Sequence, residues 1–142
     1  MAFFDWNDKQ YSVSVSAMDH QHKNLVRIIN AIYDASNQPP NQAATSELLD
    51  ELIQYTVSHF AEEEKFMESI QYPALIEHKM QHQGLITRAG EVKKAFKAGD
   101  GTVELGVLNF LKTWLITHIQ GHDMKYGEYS KAPDPSAKET GA

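Results

Sequence analysis

The sequence predicts an all-α protein: an up-down-up-down four-helix bundle with an extended N-terminal arm. Three observations lead there. Four stretches carry apolar side chains at three- and four-residue spacing, the period of an amphipathic helix. Short breaks containing Pro or Gly separate them, at residues 37–40, at Tyr72-Pro73 and at residues 99–101, and short connections favour antiparallel neighbours. A chain of 142 residues also suits one core better than two.

Residues 1–18 hold Trp6, Tyr11 and an alternation of Val13 and Val15 without helical periodicity, and read as an arm whose aromatic side chains lie on the body. Asp19 is placed as the N-cap of the first helix, whose inner stripe is His22, Leu25, Ile29 and Ile32. Pro39 and Pro40 end that helix. The second starts between Asn41 and Ser46 and runs to about Ser69. Leu48, Leu52, Tyr55, His59, Glu63, Phe66 and Ile70 face inward, and Glu62 and Glu64 outward. Pro73 is placed as the first residue of the third helix, with Leu75, His78, His82, Leu85, Ala89, Val92 and Phe96 as its stripe. The fourth is read from Thr102 to about Gly121, with Leu108, Leu111, Leu115 and His118 facing in. The bundle is taken to span residues 1–130, and the polar tail of residues 131–142 is expected to be disordered.

A net charge of −6 argues against nucleic acid as a partner, since phosphate backbones select basic surfaces. The absence of Cys excludes disulfides and thiolate metal sites. The first residues show neither a basic segment nor a long apolar one, so no signal peptide is expected. The longest apolar runs fall far short of the ~20 residues needed to cross a bilayer. A cytoplasmic location without membrane insertion is the expectation.

The chemistry lies in the histidines. His22, His59-x3-Glu63, His78-x3-His82 and His118-x4-Asp123 place metal-ligating groups on all four helices. Residues four apart project from one helix face, so both can reach one centre. Alternating helix directions bring His22, early in helix one, to the level of His59 and Glu63, late in helix two. The same holds for His78 and His82 at the start of helix three and His118 near the end of helix four. Any one of these histidines alone is explained as a hydrogen-bonded core residue. Agreement of four helices in face and height points instead to metal. A carboxylate at Glu63, on an apolar stripe, must be paired, protonated or metal-bound. His20 precedes the stripe and is placed at the exposed helix start. Spacing leaves the last ligand open: His122, at i+4 from His118, points inward on an ideal helix, whereas Asp123 needs a π-bulge or a loosened turn near Gly121. Five imidazoles and two carboxylates are too many for one ion, and two ions bridged by the carboxylates use them all. Imidazole and carboxylate without thiolate suit iron or zinc.

Asp19-His-Gln-His22-Lys-Asn-Leu, His59-Phe-Ala-Glu-Glu63-Glu-Lys-Phe-Met67, Tyr72-Pro73 with His78-x3-His82, and Trp114-Leu-Ile-Thr-His118-Ile-Gln-Gly-His-Asp123 together resemble the hemerythrin family, from the arm to about Tyr129. A single-domain bacterial form fits best. The resemblance implies a non-haem di-iron centre, two iron ions (Fe2+/Fe3+) with a bridging oxo or hydroxo group, that binds O2 reversibly and is not an enzyme. It implies His78, His82 and His118 on one iron, His22 and His59 on the other with an open position, and Glu63 and Asp123 as bridges. It thereby favours Asp123 over His122. Phe60, Trp114, Leu115 and Ile119 match pocket-lining positions and Tyr126 a tyrosine beside the site, although core packing alone also accounts for Leu115 and Ile119.

Other functions fit less well. Carboxylate-rich di-iron oxidases and ferritin-like proteins use Glu-x-x-His on two helices, which occurs nowhere here. A metallohydrolase lacks its His-Glu-x-x-His. An O2 or redox sensor, or a protein handling NO or peroxide, keeps the metal and changes the use. Oxygen transport, storage or delivery, with an unidentified protein recipient of the O2, is the leading expectation.

Overall fold

A computed structural model describes residues 3–36, 41–99 and 103–131. Its elements are α1 (Asp8–Tyr11), α2 (Ser16–Ser36), α3 (Gln42–Ser69), α4 (Leu75–Ala98), α5 (Leu105–His118), a π-helical segment (Ile119–Asp123) and α6 (Met124–Lys131). Helices α5 and α6 and the π segment run on without a break, so the long rods number four, as expected. Rod α2 packs on α3 and on α5, and α3 packs on α4. Among the described residues no helix is long and apolar enough to cross a membrane.

The core follows the helical periodicity. Leu25, Val26, Ile28, Ile29 and Ile32 of α2 meet Leu49, Leu52 and Phe60 of α3, Leu85 and Phe96 of α4, and Leu108, Leu111 and Leu115 of α5. The buried stripe of α3 lies one position from the expected one: Thr45, Leu49, Leu52, Thr56, His59, Phe60, Glu63 and Met67 are buried, while Leu48, Tyr55, Phe66 and Ile70 flank it. Two threonines on the stripe hid it, because an apolar pattern does not register them. The Thr45 hydroxyl donates to the Asn41 carbonyl at 2.8 Å, which meets the cost of burying it.

Both ends of α3 fall where the sequence reading puts them, while other boundaries differ, each for a local reason. Asn41 caps α3 by accepting from the Ala44 amide at 3.0 Å. At the other end α3 stops by backbone closure: Tyr72 N–H donates to Met67 and Gln71 N–H to Glu68, with Gln71 left-handed at φ 54°. That turn carries the chain past Pro73, so α4 begins at Leu75. Asp19 is not an N-cap, since α2 starts a turn earlier, at Ser16. Its carboxylate instead accepts from the Val13 amide (2.8 Å) and the Ser12 hydroxyl (2.6 Å), tying the arm to the helix. The last rod does not end near Gly121 but continues to Lys131 through the π segment. Gly99 follows α4 as expected and Lys131, expected to open the tail, ends α6 instead; the break at 37–40, the rest of the break at 99–101 and residues 132–142 lie outside the described residues.

Before Ser16 the described part of the arm is non-helical apart from the single turn α1, with Ser14 left-handed at φ 64°. Phe4, Tyr11 and Val13 are buried, and Phe4 exchanges two hydrogen bonds with the Asn30 side chain, at 2.7 and 2.8 Å. Phe3 stacks on Tyr33 with ring centres 4.5 Å apart. Where the arm crosses α6, Val13 lies so close to Gly127 that a Cβ there would come within 1.9 Å of the Val13 carbonyl oxygen. Backbone on both sides prevents relief by rotamer change. Gly127→Ala is therefore expected to lower stability by about 2–3 kcal/mol or more, read as a fall in Tm. Gly84→Ala and Gly90→Ala, mid-helix with nothing within 4 Å of the added carbon, should each raise stability by roughly 0.5–1 kcal/mol.

Candidate metal centre

One end of the bundle core is polar. His22, His59, Glu63, His78, His82, His118 and Asp123 are all buried, with Glu63 and Asp123 fully so. Each long rod contributes: α2 brings His22, α3 His59 and Glu63, α4 His78 and His82, and the last rod His118 and Asp123. All seven groups named from the sequence converge.

The π segment decides the last of them. In an α-helix the residue stacked over His118 would be His122. A π turn holds about one more residue per turn and moves that place to the next one. The π turn at Ile119–Asp123 thus buries Asp123 and leaves His122 half-buried to one side, its ring centre 5.4 Å from that of His118.

Each of these five histidine rings turns Nε2 toward the carboxylates, and the carboxylate oxygens divide the rings into two sets. Glu63 Oε1 lies 2.9 Å from His82 Nε2 and 3.5 Å from His78 Nε2, while Oε2 lies 3.2 Å from His22 and 3.4 Å from His59. Asp123 Oδ1 lies 2.8 Å from His78 and 3.1 Å from His118, while Oδ2 lies 3.1 Å from His22. Each carboxylate therefore offers one oxygen to the His78, His82 and His118 set and its other oxygen to the second set. Ligand atoms of Glu63, His78, His82, His118 and Asp123 all fall within 4.8 Å of one another, as do those of His22, His59 and Glu63.

The donor set fits metal better than it fits itself. Glu63 Oε1, His78 Nε2 and both Asp123 oxygens are buried without a hydrogen-bond partner of acceptable geometry. They nonetheless sit within 3.5 Å of opposite groups. Buried polar atoms are almost always hydrogen-bonded, so four misaligned ones in one cluster mark a place where a third body completes the contacts. Nitrogen and oxygen donors without thiolate suit iron.

Electrostatics of the metal-free cluster agree. Burial alone would keep the His22 ring neutral, but the Asp123 and Glu63 carboxylates beside it raise its pKa to about 10. His78 is raised to about 9 in the same contest. Burial dominates at His59, lowering it to about 4. Glu63 and Asp123 are held below the usual carboxylate range, because the surrounding histidines overcome the burial that would raise them. His22 and His78 thus keep protons at neutral pH, facing the two carboxylates.

Apolar and aromatic side chains close the site. Phe60 stacks flat on His82 with ring centres 3.7 Å apart, and Trp114 on His118 at 4.5 Å. Ile119 is fully buried. A cavity of about 20 Å³, lined by Phe60, Leu115, Leu25, Ile29 and Leu111 among others, lies within the bundle, large enough for roughly one water yet offering it almost no polar partner. The Tyr126 hydroxyl, buried, donates to Glu63 Oε2 at 2.7 Å, and burial raises its pKa so that it keeps its proton.

Two residues beside the site escaped the sequence reading. Gln21 Oε1 lies 2.6 Å from His59 Nδ1, and Glu64 Oε2 lies 2.8 Å from His82 Nδ1. Glu64, read as outward, is half-buried between α3 and α4; Glu62 does face solvent, yet bonds the Gln21 amide. Adjacency to a ligand was the one available signal, and it does not separate them from other polar neighbours.

Comparison with known proteins bears on the arrangement directly. The family model described as "Hemerythrin HHE cation binding domain" matches residues 13–129. The chain belongs to the hemerythrin family. It is 34% identical over 132 residues to a bacteriohemerythrin of Stenotrophomonas maltophilia, covering 93% of this chain and 84% of that one. It is 32% identical over 127 residues to the bacteriohemerythrin of Methylococcus capsulatus, covering 89% of this chain and 96% of that one. A crystal structure of a wild-type hemerythrin superposes with a TM-score of 0.84 at 30% identity, over 92% of this chain and all of the other. The cofactor of a hemerythrin is a di-iron centre, and the buried cluster of this chain is able to hold it.

Two expectations follow. In the metal-free protein His59 stays neutral when folded but charges below its ordinary value when unfolded, so stability should fall as the pH drops from about 6.5 toward 4. His22 and His78 are raised when folded, so their contribution is full below about 6.5 and should be lost progressively as the pH rises from there to about 9 to 10. A Tm profile of apo-protein against pH should therefore peak near pH 6.5 and fall on both sides. Asp123→Ala should reduce bound iron below two per chain, whereas His122→Ala should leave it at two, measured by metal analysis after reconstitution.

Proposed function

We propose that this hemerythrin binds O2 reversibly at its di-iron centre, for oxygen transport, storage or delivery rather than catalysis. The observation that carries the reading is the division of the carboxylate oxygens: Glu63 and Asp123 each turn one oxygen to a set of three histidines and the other to a set of two. In this reading His78, His82 and His118 would hold one iron, His22 and His59 would hold the second, and Glu63 and Asp123 would serve both. When bound, the di-iron pair would supply the reversible redox chemistry that O2 binding needs.

The protein's own part is to make that exchange clean. Five neutral imidazoles and two carboxylates leave a pair of divalent ions only partly neutralised, which disfavours the high-valent iron used by carboxylate-rich oxidases. Phe60, Leu115 and Ile119 exclude water, which would compete for the open position and carry away a reduced oxygen species. Trp114 lies over His118 and shields that face. Tyr126, through its hydrogen bond to Glu63 Oε2, holds the carboxylate in its bridging orientation. An apolar surround suits a gas and gives a polar substrate nothing to grip.

Residues 1–130 act as one unit in this reading, the arm included, and the setting is the cytoplasm. The recipient of the oxygen is a further protein, and nucleic acid is no partner for a surface of net charge −6.

The test is the visible spectrum of anaerobically reduced, iron-loaded protein before and after admitting air, and again after purging with argon. A charge-transfer band that appears with air and vanishes on purging is the expected result. A band that decays irreversibly to the ferric form would favour a sensor or a protein that handles NO or peroxide. No band, with iron bound, would defeat the O2-binding reading.

A further inference from the structure

Glu62, Glu63 and Glu64 follow one another on α3, which lies between α2 and α4. Successive helical residues turn by ~100°, so the three carboxylates fan out in three directions. Glu63 enters the site. Glu64 meets His82 Nδ1 at 2.8 Å. Glu62 meets the side-chain amide of Gln21, whose oxygen meets His59 Nδ1 at 2.6 Å.

Donor and acceptor roles follow from the groups themselves. A carboxylate here can only accept and an amide nitrogen can only donate. Glu64 therefore accepts from His82 Nδ1–H. Glu62 accepts from the Gln21 amide N–H, which turns the Gln21 oxygen to accept from His59 Nδ1–H. In both rings the Nε2 lone pair is left for a metal.

The two backing groups differ in charge. His82, of the three-histidine set, is backed by a carboxylate. His59, of the two-histidine set, is backed by a neutral amide, with the nearest charge one link further out on exposed Glu62. We propose that Glu64 and Gln21 are positioning residues that set the two metal positions apart, so that the three-histidine position binds metal more tightly and is the more readily oxidised. The proposal rests on the two-metal reading above. A carboxylate drawing on Nδ1–H raises electron density at Nε2, which favours a bound cation and favours the higher charge state more; an amide does the same weakly.

The test uses the whole chain and two near-isosteric variants, Glu64→Gln and Gln21→Glu. The apo-protein is titrated with Zn2+ against a chromophoric chelator to give two stepwise affinities. The iron-loaded protein is titrated electrochemically to give two one-electron midpoints. Glu64→Gln should weaken the tighter Zn2+ step by about 10- to 100-fold and leave the other within a few-fold. It should raise the lower midpoint, a tenfold change in the oxidation equilibrium being about 59 mV. Gln21→Glu should tighten the weaker step and lower the upper midpoint, so the gap narrows from the other side. An unchanged gap in both variants overturns the proposal, as does equal weakening of both steps, which is what a merely structural role would give. The Zn2+ steps do not involve O2. A protein that shows these shifts but no reversible O2 band keeps this proposal and loses the proposed function, whereas uptake of a single Zn2+ per chain overturns the two-metal reading and this proposal together.

Discussion

The fold is arranged around the burial of two carboxylates, Glu63 and Asp123, in a helical core with almost no water. An isolated ionised carboxylate there costs several kcal/mol or more, and the helix that carries each one supplies only a single ring, His59 for Glu63 and His118 for Asp123. The solution is to bring five imidazoles from four rods to the same level, so that each carboxylate oxygen faces at least one ring nitrogen. This requirement ties the rods together at one end, while Leu, Ile, Val and Phe side chains pack the rest. The protein thus has a cohesive apolar region and a region that needs cations to be complete. With metal removed, protons on His22 and His78 stand in for it.

Two local departures from regular helix serve that end. The π turn after His118 adds one residue to the last rod and swings Asp123 into the core in place of His122. A regular helix would have put a sixth imidazole there and left Glu63 as the sole anion, with more positive charge than a buried pair of ions tolerates. The second departure is the close crossing of Val13 over Gly127. Asp19, three residues before His22, holds the arm by bonds to Ser12 and Val13, and Gly127 sits one residue beyond Tyr126, which bonds Glu63. The arm therefore clamps the two rods whose ligands meet across Asp123 and His22.

Much of the centre was legible because ligand spacing obeys helix geometry. His59 with Glu63 and His78 with His82 repeat at four residues, and that period can be read without knowing which helix lies beside which. Four rods with short connections then leave one simple antiparallel arrangement, in which the groups agree in height. The choice between His122 and Asp123 was not legible from spacing. Both are candidates on a regular period, and what Asp123 faces, the rings of His22 and His78 within 3.1 Å, comes from residues far away in sequence. Gln21 and Glu64 were hidden for a related reason. A glutamate beside a buried glutamate is read as solvated, and only the neighbouring helix shows that a histidine ring waits within 2.8 Å.

By itself, then, the sequence determined four amphipathic rods, their order, and a set of imidazole and carboxylate groups gathered at one end. These depend on periods of three and four residues along single helices. The tertiary structure alone decided which oxygen of each carboxylate faces which ring, that Asp123 rather than His122 is buried, where the arm crosses α6, and which groups stand behind His59 and His82. Those outcomes arise between helices, where distances of about 3 Å depend on the rotation and depth of two packed surfaces, and no period along one chain segment carries that information.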